Sequence, residues 1–283
     1  MTRARVRIGV VAPGSAAQPQ LEADVQALVG RLYRPGEVEV WFHPQCFLRD
    51  GHFAGDDDAR TAAVLDVAND PDFDAVWFAR GGYGACRIAE AVVAGLAPAA
   101  ADKAWLGYSD GGALLAALYR QGFARLAHGP VAQDLRREGG EAAIKRALAW
   151  LVRADPAALE PSVEADGRPT AAFNITILSQ ILGTPLEPDL AGHVLMLEEV
   201  SEHMYRIDRA LFHITSNPAI RRVAGLRLGR CSLIPDNDPD FGRTEEEVAR
   251  FWCRRSGVPW LGRADIGHDA ANRVVPFGGL ARR

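Results

Sequence analysis

No C-x-x-C pair occurs in this chain. Its four cysteines, Cys46, Cys86, Cys231 and Cys253, are scattered, which argues against a zinc ribbon or a redox dithiol and leaves mostly buried thiols. No H-E-x-x-H or comparable ligand pair is present either, so metal catalysis has no residues to rest on and no metal is expected. No apolar run approaches the ~18 residues that span a bilayer. The formal charge of -4 lacks the basic excess of a nucleic-acid binder, so neither nucleic acid nor membrane is an expected partner. Internal repeats and low-complexity tracts are missing too. What is there is ordinary for a globular chain, with 283 residues, 48% hydrophobic and 24% charged. That length suits two domains of roughly 120 to 150 residues each. At the N-terminus RVRIGVV alternates and stops at Pro13-Gly14, which suits a first strand better than a signal peptide. The expectation is a cytoplasmic enzyme or binding protein.

The first half alternates strand-like and helix-like segments: RVRIGVV then LEADVQALVGRLY, EVEVWF then DDARTAAVLDVAN, DAVWFA then GACRIAEAVVAG, and KAWLGY then the helix after Ser109. Such βα order predicts a parallel sheet covered by helices, with its site at the carboxyl ends of the strands. Three of those ends carry suggestive loops, PGSAA at 13–17, RGGYG at 80–84 and YSDGG at 108–112. We divide the chain into an α/β domain over 1–135, a helix and linker over 136–170, and a C-terminal domain over 171–283. In the last, HVLMLEEV and VAGLRLG read as strands, with helices at MYRIDRALFHITSN and TEEEVARFWCRRSG.

Gly107-Tyr-Ser-Asp-Gly111 has G-x-S-x-G spacing between an apolar run and LLAALYRQG. That spacing places a serine on a sharp strand-to-helix turn, where only small neighbours fit and the helix dipole favours an oxyanion. A plain glycine-rich turn is the competing explanation. Gly111 and Gly112 would weaken a helix unless close backbone approach requires them. A serine nucleophile needs a base and an acid that orients it. Of seven histidines, His128 in AHGP and His268 in DIGHD read as loop residues beside glycine, where catalytic groups concentrate, whereas His193, His203 and His213 suit packed or solvated positions in elements. Glu198 and Glu199 end an apolar run and point to opposite faces of a strand, so at most one aims at a given site and periodicity does not say which; the plainer alternative is a strand end entering solvent. In Arg80-Gly81-Gly82-Tyr83-Gly84, paired glycines can bring backbone N–H groups to a substrate oxygen, completing an oxyanion hole with the N–H of Asp110. Arg80 either holds a carboxylate or braces its loop. Asp236-Asn-Asp238-Pro-Asp240 with Glu247 echoes a calcium loop, but Phe241 stands where glycine is required, and Thr244 to Glu247 forms a capping box instead.

Four stretches, ARGGYGACRI, WLGYSDGGALLAAL with AHGP, LGTPLEPDLAGHVLMLEEVSEHMYRIDRALFHI and IGHDAANRVVPFG, together resemble the L,D-carboxypeptidase family of serine peptidases (family S66). That family includes the muramoyltetrapeptide carboxypeptidases and the microcin C7 self-immunity peptidases. The resemblance spans nearly the whole chain in the family's order. It implies a Rossmann-like nucleophile domain and a swivelling C-terminal β/β/α domain, with Ser109 as nucleophile, Glu198 as triad acid and His268 as general base. It also implies the N–H groups of Gly82 and Asp110 as the oxyanion hole, with Arg80 and Gly81 as substrate-binding candidates. No cofactor is implied, and similar proteins are often homodimers. The implied reaction is hydrolysis of the amide bond to a terminal D-alanine in a peptidoglycan-derived peptide.

Departures lie at Gly111-Gly112, at Ala172-Phe173-Asn174-Ile175 and at CSLIPDND, and they bear on the substrate rather than the triad. The alternatives are an immunity-type amidase acting on peptidyl- or aminoacyl-nucleotide conjugates, an α/β-hydrolase esterase with acid and base on one sheet, and a catalytically silent binding module.

Overall fold

The short apolar runs of the first half are strands buried on both faces. A computed structural model describes residues 5–279; residues 1–4 and 280–283, which the expected domain bounds include, lie outside them. In chain order the first strands and helices are β1 (Val6–Val11), α1 (Leu21–Leu32), β2 (Val38–Phe42), α2 (Asp57–Asn69), β3 (Ala75–Phe78), α3 (Ala85–Gly95), β4 (Ala104–Gly107), α4 (Gly112–Arg120) and β5 (Leu126–His128). Every residue of β3 and β4 is buried, as expected of central parallel strands with helices on both sides, whereas β2 alternates buried and half-buried residues at the sheet edge.

Two helices follow, α5 (Gly140–Arg153) and α6 (Pro161–Asp166). A second set then comprises β6 (Thr170–Asn174), α7 (Ile175–Ile181), β7 (Val194–Val200), α8 (Met204–Ser216), β8 (Gly225–Ser232), α9 (Glu245–Ser256) and β9 (Trp260–Arg263). These four strands form a parallel sheet in the order β6-β7-β8-β9. The final strand, β10 (Val275–Pro276), leaves that sheet and pairs antiparallel with β5, giving the first sheet the order β10-β5-β4-β3-β1-β2. The mixed α/β architecture expected from the alternation is therefore the one adopted, with the chain's end stitched back into its first half.

Apolar packing continues across the join. Phe173 of β6 and Phe277 after β10 meet edge to face at 5.1 Å, and both are fully buried. Burying such a ring is worth up to about 3 kcal/mol relative to exposure, so the two sheets hold a shared core. Glu247 is occupied in the capping box that starts α9, accepting the Thr244 N–H at 2.8 Å while its own N–H donates to Thr244 Oγ1 at 3.3 Å.

Candidate active site

At the carboxyl end of β4 the chain turns through Tyr108 into a single 3₁₀ turn, Ser109–Gly111, that runs directly into α4. Ser109 has φ 58°, a left-handed conformation rarely taken by a residue with a side chain. The flanking glycines permit that bend to sit on Phe78: a Cβ on Gly107 would lie 2.1 Å from the Phe78 ring and one on Gly111 2.6 Å. Gly112 has only an ordinary 3.4 Å contact with Phe173, so close approach explains Gly111 and not its neighbour.

Across from the hydroxyl stands His268, in the loop between β9 and β10. Its Nε2 lies 3.0 Å from Ser109 Oγ and its Nδ1 2.5 Å from Glu198 Oε2. A carboxylate only accepts, so Nδ1–H donates to Glu198, and Nε2 is left to accept the serine proton. Burial pushes the His268 pKa down, but the charge and hydrogen bond of Glu198, with Asp134 behind them, outweigh it and hold the pKa above the ordinary histidine value. Tyr108 packs beneath the ring at 4.7 Å between centroids.

The acid doublet does not end in solvent. Glu198 and Glu199 are both buried, and the pairing of β7 with β8 shifts register between Leu197 and Glu199. Glu198 faces His268. Glu199 turns to the start of α7, where it accepts from Asn174 Nδ2 at 2.6 Å, the Thr176 N–H at 2.9 Å and Thr176 Oγ1 at 2.8 Å. Burial raises the Glu199 pKa against these donors.

The loop after β3 covers Ser109. A Cβ on Gly81 would lie 3.0 Å from Ser109 Oγ, and Gly82 has φ 91°, with its missing side chain's place taken by Ser15. The Gly82 N–H has no intramolecular acceptor among the described residues. Asp110 ties this loop to the turn that carries Ser109, since its buried carboxylate accepts the N–H of Ala85, the first residue of α3, at 2.7 Å. Burial raises the Asp110 pKa, opposed by these backbone donors and by Arg60.

Ser109, His268, Gly81 and Gly82 line a cleft of about 350 Å³ that also receives Arg80, Arg136 and Arg137. A larger hollow of about 690 Å³ lies beside Tyr119, whose hydroxyl bonds to His193 Nε2 at 2.6 Å, but no serine or cysteine lines it among the described residues. Arg136 pairs with Asp24 and Arg137 with Asp134. Arg80 donates to the Ala16 carbonyl at 3.1 Å and has no carboxylate partner among the described residues, so it leaves an unbalanced cation at the cleft. Both roles read for Arg80 in the sequence remain compatible with this position.

His128 departs from its expected place. It ends β5 rather than standing in a loop, and burial pushes its pKa down to about 4, so it is a neutral packed ring. The seam of two sheets also departs from the esterase arrangement, because Glu198 stands on the second sheet while Ser109 follows a strand of the first. Among the described residues no group of three or more His, Cys, Asp or Glu side chains is placed to hold a metal. No helix of the described residues is long and apolar enough to cross a membrane.

Two family models match the chain, the LD-carboxypeptidase N-terminal domain over residues 8–129 and the LD-carboxypeptidase C-terminal domain over residues 169–282. The chain belongs to the LD-carboxypeptidase family, peptidase S66. It is accordingly a hydrolase of peptide bonds of the serine carboxypeptidase kind. A murein tetrapeptide carboxypeptidase of Pseudomonas aeruginosa is 29% identical over 290 residues, covering 97% of this chain and 92% of that protein. The crystal structure of muramoyltetrapeptide carboxypeptidase from Oxalobacter formigenes superposes with a TM-score of 0.77 at 24% identity, covering 96% of this chain and 93% of that one. Microcin C7 self immunity protein MccF in complex with aspartyl sulfamoyl adenosine gives 0.75 at 18% identity, covering 96% and 91%. At these identities the two structures establish the fold.

Several residues that build this candidate site went unread in the sequence. Arg60, fully buried, donates to the carbonyls of Pro13 at 2.5 Å and Gly84 at 2.8 Å and so clamps the loops after β1 and β3 together. A signal for it existed, because Arg60 shares the apolar stripe of α2 with Ala63, Val64 and Val67. Asp134 and Arg137 carried no comparable signal. They pair with each other three residues apart, but the contacts that tie them to the site, Tyr108 for Asp134 and the His268 carbonyl for Arg137, lie 26 and 131 residues away.

Proposed function

We propose that this chain is a cytoplasmic serine L,D-carboxypeptidase that releases terminal D-alanine from peptidoglycan-derived peptides. The observation that carries the reading is the unbroken chain from Ser109 Oγ through His268 to Glu198, which joins the two family segments at one cleft. The named substrate of the Pseudomonas aeruginosa relative supports the choice of peptide.

In this reading His268 Nε2 takes the Ser109 proton as Oγ attacks the carbonyl carbon of the scissile amide. The oxyanion rests on the N–H groups of Gly82 and Asp110, the latter at the positive end of the turn leading into α4. Protonated Nε2 then gives its proton to the departing amine, the C–N bond breaks, and an acyl-serine ester remains. Water attacks that ester with His268 again acting as base, and the shortened peptide leaves with a new carboxylate. Glu198 holds the imidazole in the required tautomer and balances its charge. Arg80 takes the carboxylate of the terminal D-amino acid by a charge-assisted hydrogen bond.

Purified protein assayed in parallel against a murein tetrapeptide and an aminoacyl sulfamoyl adenylate tests this. Release of D-alanine from the first is expected. Cleavage of the conjugate alone would move the chain to the amidase reading, and inertness towards both would defeat the substrate assignment.

A further inference from the structure

Next to His268 lies a second set of buried polar groups that the reaction scheme does not use. Tyr108 and Asp134 are each only 2% exposed, and the Tyr108 hydroxyl donates to Asp134 Oδ1 at 3.0 Å. Asp134 Oδ2 accepts the Val131 N–H at 3.1 Å, and Oδ1 also accepts from Arg137 Nε at 2.7 Å. The same guanidinium reaches across the seam, where its NH1 donates to the His268 carbonyl at 2.8 Å. A solvated loop ion pair would have no cause to bury its carboxylate or to bridge to the base's own backbone.

We propose that Asp134 and Arg137 are a positioning pair for His268: the carboxylate fixes the Tyr108 ring beneath the imidazole, and the guanidinium fixes the His268 backbone above Ser109. This rests on the reading of Ser109, His268 and Glu198 as a triad. Neither residue of the pair contacts the reacting atoms. The groups facing His268 are Glu198 from β7, Ser109 and Tyr108 from the turn after β4, His128 from β5, and Asp134 and Arg137 from the segment after β5. The two positioning charges act on the ring in opposite senses, since Asp134 favours the imidazolium and Arg137 disfavours it.

Opposite senses give the test its edge. The rate of Ser109 labelling by a serine-directed phosphonate is measured against pH for the wild type, Asp134→Asn, Arg137→Gln, Arg137→Lys and the double variant, with kcat and KM for the tetrapeptide alongside. Asp134→Asn removes a carboxylate and leaves Arg137 unpaired, so the acidic limb should move down. Arg137→Gln should move it up. The double variant should return towards the wild-type limb, and kcat should fall by up to about 100-fold in each single variant as the base shifts. Arg137→Lys keeps the charge at a half-exposed position that tolerates substitution; it should leave the limb in place while lowering kcat, because a single ammonium cannot span both acceptors.

Limbs that stay put, or that move the same way in both single variants, overturn the proposal. So does a rise in KM at unchanged kcat for Arg137→Gln, which would make Arg137 a substrate contact. If Asp134→Asn does not fold, the opposed behaviour of Arg137→Gln and Arg137→Lys still decides. A wild type that is never labelled at Ser109 would instead defeat the triad reading itself.

Discussion

Ser15 in the loop after β1 and Ser109 after β4 each meet an imidazole, His52 Nε2 at 3.1 Å in the first case and His268 Nε2 at 3.0 Å in the second. By distance alone the two pairs are equivalent. They differ in what lies beyond the ring and in the backbone beneath the hydroxyl. His268 has Glu198 on its other nitrogen, whereas no carboxylate bonds to His52 among the described residues. Ser109 is held at positive φ over a cleft, while Ser15 is buried with its side chain filling the space beside Gly82. A serine near a histidine is therefore a packing contact until an acid fixes the tautomer and the hydroxyl is aimed at open space.

The largest expected difference between the two regions is at the hydroxyls themselves. Ser109→Ala should lower kcat by about 10⁶ and abolish phosphonate labelling, as loss of the nucleophile of a working triad does. Ser15→Ala should keep the label on Ser109 and stay within about tenfold of wild type, since it only loosens the loop carrying Gly82. Labelling on Ser15 would reverse the assignment.

Next in size is the acid. Glu198→Gln keeps the shape but offers an amide to Nδ1, which favours the wrong tautomer and should cost about 10⁴ in kcat. The sign of the pH effect follows from His268. Activity of the free enzyme needs neutral imidazole, and because Glu198 and Asp134 raise its pKa, the acidic limb of kcat/KM should lie above the ordinary value of about 6.5. Glu198→Gln should carry that limb downward. Glu199→Gln, by contrast, should show itself in thermal unfolding, at about 1–3 kcal/mol for disturbed buried hydrogen bonds, with the limb unmoved.

A third effect separates the loop that covers Ser109 from the turn that carries it. Gly82→Ala sets a Cβ against Ser15 Oγ at a left-handed φ, so the loop must shift and its N–H with it. A misplaced oxyanion donor should cost about 10²–10³ in kcat with KM little changed. An equal loss in KM would place Gly82 in substrate binding instead.

How much of this was legible beforehand depends on the range over which each residue acts. Runs such as DAVWFA and KAWLGY, followed by helical patterns, contain the parallel sheet in their local order. β5 and β10 do not announce themselves, because three and two residues carry no period and Pro276 lacks a donor. That brevity also explains why His128 read as a loop residue. Ser109 was visible from spacing, but the residues alone left its acid and base open, and only the family resemblance singled out Glu198 and His268. Tertiary packing explains the difficulty with the doublet, since β7 lies inside its sheet and is buried on both faces through Glu199, which no local period announces. Arg137 touches His268 across 131 residues of chain, a distance at which no local pattern constrains either partner.

The smallest expected effect falls on Arg80, which touches both regions at once. Its guanidinium donates to Ala16, beside Ser15, yet lines the cleft with Ser109. If it belongs to the Ser15 region, Arg80→Gln lowers stability and leaves KM alone, because only a loop brace is lost. As the anchor of a terminal carboxylate it should raise KM about tenfold at nearly constant kcat, the size of one charge-assisted hydrogen bond at an exposed site. The C-terminal amide of the same peptide supplies the control. Wild type and Arg80→Gln should handle the amide almost equally, because the group that distinguishes them has been removed from the substrate; a KM on the free acid equal to wild type would return Arg80 to the loop, and a tenfold gap that persisted on the amide would mean that Arg80 does not act through the terminal carboxylate.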